Sequence, residues 1–200
     1  RPDMREITIS DKSEACDFIK DSCKECNRKY ECTGENAAFC NHMKNILVAK
    51  YGAAEGCLKE SRIRHSIGVA NFLFAYAKSH DWSKEETEDL YLTGLLHDIG
   101  YIDNPKGTDH GRLGAEILKR NGLNAEICEL ISCHGRFIEN PSRKQALLWL
   151  ADLCVNRDGD YIGYQKRYES IKERYKNDPE RLFQVYRILE YLQIHFSEYR

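Results

Sequence analysis

The chain has 200 residues, 42% hydrophobic and 31% charged, with only 4 prolines, which suits one globular domain plus an appendage and a core of real size. A net charge of -2 argues against a surface that holds nucleic acid by bulk electrostatics, while leaving room for a local basic pocket. No apolar run approaches a membrane span, nothing after Arg1 reads as a signal peptide, and nine cysteines make an odd set for a disulfide framework. Reduced thiols or a thiolate metal site in a cytoplasmic setting fit that count better.

Residues 1 to about 35 read as an irregular or weakly helical appendage, with Asp11, Ser13 and Asp17 as candidate helix starts. Cys23, Cys26, Cys32 and Cys40 crowd this part of the chain, flanked by Cys16 and Cys57. Thr33-Gly34-Glu35-Asn36 breaks the pattern and can cap a helix from Ala37 to Leu58, where Phe39, Met43, Ile46, Leu47 and Tyr51 recur at helical spacing. The next helix runs from about Ser61 to Ser79 and buries Ile63, Ile67, Ala70, Leu73, Phe74 and Ala77, with His65 one turn inside its start. Ser83 and Glu86 form a capping-box pair opening the helix that carries Leu92, Leu95 and Leu96 into His97-Asp98. Gly100 is expected to close that helix in the left-handed conformation.

Tyr101 to Asp109 reads as a loop, punctuated by Asn104-Pro105 and Gly107. His110 starts a helix that stops at Asn121-Gly122, and Asn124 caps another with Ile127, Leu130 and Ile131 inside and His134 near its end. Pro141 fits the first position of a helix through Leu147, Leu148, Leu150 and Ala151 to Asp152. Segments at about 164–176 and 179–198 are amphipathic and helical. No strand, internal repeat or low-complexity linker is recognisable, so the expected fold class is all-α. The division is a Cys-rich extension over residues 1–45 and a helical domain over residues 46–200.

His65, His97, Asp98, His110, His134 and Asp152 share one property: each falls near the end of a predicted helix, and helix ends in a bundle can converge on one pocket. Imidazole mixed with carboxylate suits Fe, Mn, Zn or Ni better than an all-oxygen or all-thiolate site. A lone histidine on an apolar helix is most often a packed residue, and His42, His80 and His195 are read that way. Asp152 follows Leu148-Trp149-Leu150-Ala151 and needs a partner, because an unpaired buried carboxylate costs several kcal/mol in effect, roughly. A metal, an arginine or a helix terminus would each serve.

Three local strings carry a family resemblance. Arg64-His65-Ser66-Ile67-Gly68-Val69-Ala70, Gly94-Leu95-Leu96-His97-Asp98-Ile99-Gly100 and Leu150-Ala151-Asp152, in that order, resemble the H…HD…D pattern of the HD superfamily of metal-dependent phosphohydrolases. The resemblance covers about residues 60 to 160 and implies an HD-domain helical bundle. His110-Gly111-Arg112-Leu113-Gly114-Ala115 and Cys133-His134-Gly135 resemble the extra ligand segments of binuclear subgroups. Those subgroups include the hydrolases of symmetrical dinucleoside tetraphosphates and the HD-GYP cyclic dinucleotide phosphodiesterases. By that resemblance His65, His97, Asp98 and Asp152 would hold one divalent transition metal (Fe, Mn, Ni or Zn). His110 and His134 would join a second, with Asp98 bridging. Many relatives place Lys after His-Asp-Ile-Gly where this chain has Tyr101, and the second GYP motif is absent.

The implied reaction is hydrolysis of a phosphoester or phosphoanhydride, of a small nucleotide, by a metal-activated water near Asp98. Arg136 and Arg157 are candidate phosphate contacts, since guanidinium grips phosphate in bidentate fashion; Arg64 and Lys106 are weaker ones. Asp158 and Asp160 either close the pocket or form a turn around Gly159. Cys23, Cys26, Cys32 and Cys40 have spacing that can wrap zinc or an iron–sulfur cluster, or can be free thiols. Two other classes stay open: a non-catalytic sensor that binds metal and nucleotide, and a di-iron oxygenase. The expected partner is a small phosphorylated substrate, without membrane or polymeric nucleic acid, and an oligomer is compatible with the sequence.

Overall fold

The structure, a computed structural model, describes residues 60–102, 107–120 and 122–200. The Cys-rich extension with Cys23, Cys26, Cys32 and Cys40, the helix expected from Ala37 to Leu58, Asn104-Pro105, Lys106 and Asn121 lie outside the described residues.

The described chain is helical: α1 (Glu60–Ser79), α2 (Lys84–Leu96), a 3-10 turn (Ile99–Ile102), α3 (His110–Arg120), α4 (Ala125–Cys133), α5 (Arg143–Cys154), α6 (Tyr164–Arg174), α7 (Pro179–His195) and a second 3-10 turn (Ser197–Tyr199). Among the described residues the only extended pairing is one antiparallel bridge between Val155 and Tyr161, and no helix is long and apolar enough to cross a membrane. The expected all-α bundle is what forms.

Caps place the helix starts. Ser83 Oγ accepts the Glu86 N–H at 3.1 Å, and Asn124 Oδ1 accepts the Ile127 N–H at 2.9 Å. The start of α5 differs from expectation by two residues. Ser142, rather than Pro141, meets the helix: its hydroxyl accepts the Gln145 N–H at 3.1 Å and Pro141 sits outside. A hydroxyl satisfies an orphan N–H, which the proline ring cannot do.

Helix α2 runs through the middle of the molecule. From Thr87 to Leu96 almost every side chain is buried. One core joins Ile67, Phe74, Tyr91, Leu95, Leu96, Ile117, Leu118, Ile127 and Ile131 on its α1, α3 and α4 side. A second joins Val69, Leu73, Leu90, Leu147, Trp149, Leu150, Tyr164, Leu189 and Leu192 across α1, α5, α6 and α7. Gly94 lets α2 approach α1 closely, since a Cβ there would lie 2.7 Å from the Ala70 Cα. That crossing sets the C-terminal end of α2 beside the first turns of α1.

Gly100 does not act as a left-handed cap. It lies in the 3-10 turn and is absent from the positive-φ glycines, which are Gly107, Gly122, Gly159 and Gly163 among the described residues. Its role is space: a Cβ at Gly100 would come within 1.7 Å of the His110 carbonyl oxygen. The missing side chain lets the start of α3 sit directly on the turn after His97-Asp98.

Candidate metal centre

The fold brings His65 from α1, His97-Asp98 from the end of α2, His110 from the start of α3, His134 from the end of α4 and Asp152 from the last turn of α5 to one point. His97, Asp98, His65 and His134 are buried, at 0–6% exposure. This is the set that the sequence singles out, and all six side chains meet.

Asp98 divides the group. Its Oδ2 faces His97 Nε2 at 3.4 Å and His65 Nε2 at 3.9 Å. Its Oδ1 faces His134 Nε2 at 3.4 Å and His110 Nε2 at 3.5 Å. Asp152 Oδ1 stands on the first side, 2.8 Å from His65 Nε2 and 3.4 Å from His97 Nε2. Two donor sets therefore share one carboxylate.

The imidazoles are oriented from behind. His97 Nδ1 donates to the Gly94 carbonyl at 2.7 Å, His134 Nδ1 to the Ile131 carbonyl at 2.6 Å and His110 Nδ1 to the Gly107 carbonyl at 2.8 Å. His65 Nδ1 donates to the Asn156 carbonyl at 3.2 Å. A carbonyl can only accept, so each Nδ1 carries its hydrogen and each Nε2 turns toward the shared space. That is the outer-shell arrangement that metal-ligating histidines use. His97 Nε2 is a buried nitrogen with no hydrogen-bond partner among the described residues, despite two carboxylate oxygens at 3.4 Å. An orphaned buried nitrogen of this kind is costly unless something binds it. The donor set fits divalent metal.

Charge without metal is balanced internally. Burial opposes a charge on His97, but Asp98 and then Asp152 outweigh it and hold the imidazole up to about 9. Burial likewise opposes the Asp98 carboxylate, yet His97, His134 and His110 keep it well below the usual range, and His65 and His97 do the same for Asp152. His110 goes the other way: burial and then the facing His134 push it down to about 4 against the pull of Asp98.

Over the centre lies a cavity of about 180 Å³, lined by these ligands other than His97 and by Arg62, Tyr101, Arg157, Arg167, Arg174 and Arg181. Arg157, one of the two candidate phosphate contacts, is in this lining, on the loop after α5. Arg136 is not in this lining. It lines an adjoining cavity of about 440 Å³ together with Gly111, Arg112 and Gln184, and its guanidinium turns back to Cys133 Sγ at 3.6 Å. Arg64 is buried on α1 and lines neither cavity. Asp158 and Asp160 form the turn: both backbone N–H groups donate to Asn156 Oδ1 at 2.9 Å.

Tyr101 has a larger part than its position suggests. Its ring stacks on His110 at 4.3 Å between centroids, and the Arg62 guanidinium lies 3.2 Å over the ring. Its hydroxyl accepts from Arg181 Nη2 at 3.0 Å, and burial pushes the phenol up to about 12. Arg62, Arg167, Arg174, Arg181 and Asn156 escape a reading of spacing. One signal existed for Arg167: it shares the helical stripe of Tyr164 and Ile171, where an apolar residue would be normal.

The HD domain family model matches residues 62–185. Among curated proteins, Ribonuclease Y of Mycoplasma mycoides subsp. mycoides is 34% identical over 113 residues, which is 56% of this chain and 20% of that protein. Ribonuclease Y of Fervidobacterium nodosum is 35% identical over 92 residues, 42% of this chain and 18% of the relative. An uncharacterized protein of Methanocaldococcus jannaschii is 31% identical over 77 residues, covering 38% of this chain and 45% of its own length. The chain thus matches about a fifth of each ribonuclease and less than half of the archaeal protein. No solved structure matches the chain.

Proposed function

The chain belongs to the HD domain family, and we propose that it is a metal-dependent phosphohydrolase, cleaving a phosphoester or phosphoanhydride of a nucleotide in the cytoplasm. One observation carries the reading: the two oxygens of Asp98 face two different histidine pairs. His65, His97, Asp98 and Asp152 would hold one divalent metal (Fe, Mn, Ni or Zn), and His110 and His134 with Asp98 a second. Bound there, the metals supply an acidified water and neutralise charge on the phosphoryl oxygens.

The chain's own residues do the rest. Asp98 and Asp152 orient the site by charge. Arg62, 3.9 Å from Asp98 Oδ2, and Arg181, which lines the same cavity, are both fastened to Tyr101 and present guanidinium groups where a phosphate oxygen would need donors. Arg157 adds a third cation at the rim. The enclosed space is smaller than a typical ligand pocket of roughly 300–1,000 Å³, so it takes phosphate groups and leaves the bulk of the substrate outside.

Two relatives bear the name Ribonuclease Y, and this supports counting RNA phosphodiesters among the substrates to try, although the chain as a whole is slightly acidic. The test is hydrolysis of nucleotides, a generic aryl phosphoester and short RNA by protein loaded with Mn, Fe or Ni, compared with His97→Ala and Asp98→Ala. Turnover lost by about a thousandfold or more in both variants is expected, the scale of removing a metal-held charge stabiliser. No turnover with any metal, or equal turnover in wild type and variants, defeats the reading.

A further inference from the structure

The cavity over the centre holds more positive charge than one scissile phosphate requires. Five guanidinium groups, those of Arg62, Arg157, Arg167, Arg174 and Arg181, line it, and the only carboxylates in the lining are Asp98 and Asp152. Five against two leaves a formal excess of three positive charges in one small space, on a chain whose total is -2. Divalent metals held by Asp98 and Asp152 would raise that excess further. A single phosphate group brings at most about two negative charges.

The arginines fall into two groups. Arg62 and Arg181 are tied to Tyr101, and Arg62 Nη1 lies 3.9 Å from Asp98 Oδ2, so this pair stands at the centre. The other group comes from α6 and the loop before it: Arg167 and Arg174, two turns apart on the helix, with Arg157 on the loop. Arg167 is 8% exposed, and its Nε is a buried donor without a hydrogen-bond partner among the described residues. A buried cation is normally paired, and this one faces a space whose two carboxylates, Asp98 and Asp152, already face histidines.

Resting on the phosphohydrolase reading, we infer that Arg157, Arg167 and Arg174 form a second phosphate subsite, taking a phosphate group of the substrate that is not cleaved while Arg62 and Arg181 face the one that is. The ligand chemistry is two phosphate groups close together on one molecule. It is met either by a phosphoanhydride chain or by consecutive phosphodiesters of a nucleic acid strand.

Binding to the manganese-loaded full chain, in excess free manganese, separates these cases. The probes are adenosine 5′-monophosphate, the α,β-methylene analogue of the diphosphate, and a phosphorothioate-linked adenosine dinucleotide with a 5′-phosphate. At least one two-phosphate probe is expected to bind about tenfold or more tightly than the monophosphate, the scale of charge-assisted hydrogen bonds to one added phosphate. Which probe gains tells anhydride from strand. The exposed substitutions Arg157→Gln and Arg174→Gln, combined, should bring the ratio of two-phosphate to one-phosphate affinity to about one, and Arg62→Gln should weaken both and keep the ratio. Arg167→Met, read beside its thermal midpoint, should act like the exposed pair. A ratio near one in wild type, or a ratio untouched by the combined variant, overturns the subsite. An advantage present without hydrolysis of any phosphoester sinks only the activity on which it rests.

Discussion

Nε2 of His110 and Nε2 of His134 lie 2.8 Å apart, although each ring already spends its Nδ1 hydrogen on a backbone carbonyl. Two nitrogen lone pairs at that distance repel unless a proton or a cation sits between them. Asp98 Oδ1, at 3.5 and 3.4 Å from the pair, completes a set of donors around that space.

The first prediction follows from this pair. His110→Ala or His134→Ala should lower bound metal from two per chain to one, because His65, His97, Asp98 and Asp152 remain. Elemental analysis of protein loaded anaerobically and desalted checks it. Two metals retained in either variant would remove these histidines from the second site.

Gly100 and Gly107 hold the start of α3 in place, for different reasons. At Gly100, alanine would put a Cβ 1.7 Å from the His110 carbonyl oxygen, a backbone atom that cannot swing away. Gly100→Ala should cost about 3 kcal/mol, the upper part of the usual overpacking range. Gly107 has φ +81°, and a Cβ there would lie 2.4 Å from Tyr101 Cε1. Gly107→Ala should cost about 2 kcal/mol and also weaken the second metal, since the Gly107 carbonyl orients His110. Thermal unfolding with and without manganese measures both effects. A Gly100→Ala midpoint within a degree of wild type contradicts the packing described.

Tyr101→Phe keeps the ring that stacks on His110 and lies under Arg62, but removes the hydroxyl that holds Arg181 Nη2 and leaves that guanidinium only the Tyr175 ring. Metal content should be unchanged and KM should rise about tenfold, the worth of one hydrogen bond to a charged group. If KM stays put while metal content falls, Tyr101 serves the ligands and not the arginines.

The stability of the metal-free protein should peak near pH 6.5. His97 is raised to about 9, so its stabilising contribution is complete below about 6.5 and is lost as pH rises through about 9. His110 is lowered to about 4, so its contribution is present above about 6.5 and is lost as pH falls through about 4. Asp98 and Asp152, held well below their usual range, lose theirs only at lower pH still. Metal must displace the His97 proton, so metal affinity should rise by about tenfold per pH unit between about 6.5 and 9. Chemical denaturation of the chelated protein and metal titrations across that range are the measurements, and a metal affinity flat with pH would refute the displacement.

Helices and ligands were readable from local chemistry. Ser83, Asn124 and the apolar period around Leu92, Leu95 and Leu96 are short-range signals: His97-Asp98 directly follows the apolar period, and His134 ends the helix that Asn124 opens. The arginine wall was not readable, because it is made by tertiary approach: α6 and α7 bring Arg167, Arg174 and Arg181 across from ligands some 15 to 116 positions earlier in the chain. A basic residue on an amphipathic helix ordinarily faces water. Gly100 failed as a cap for a related reason, since nothing in its own neighbourhood announces the His110 carbonyl that presses on it.

Asp98 gives one oxygen to each donor set. Filling the two sets is therefore a sequence of unlike events. A first cation would meet a full negative charge on Asp98 together with Asp152, whereas a second would meet a carboxylate whose charge is already drawn upon and would feel the first cation nearby. A manganese titration should resolve a tight step and a looser one, and a single step of stoichiometry two would show the carboxylate shared without competition. Between those steps lies a range of metal supply in which the chain is half filled, so its working state would be set by how much metal surrounds it.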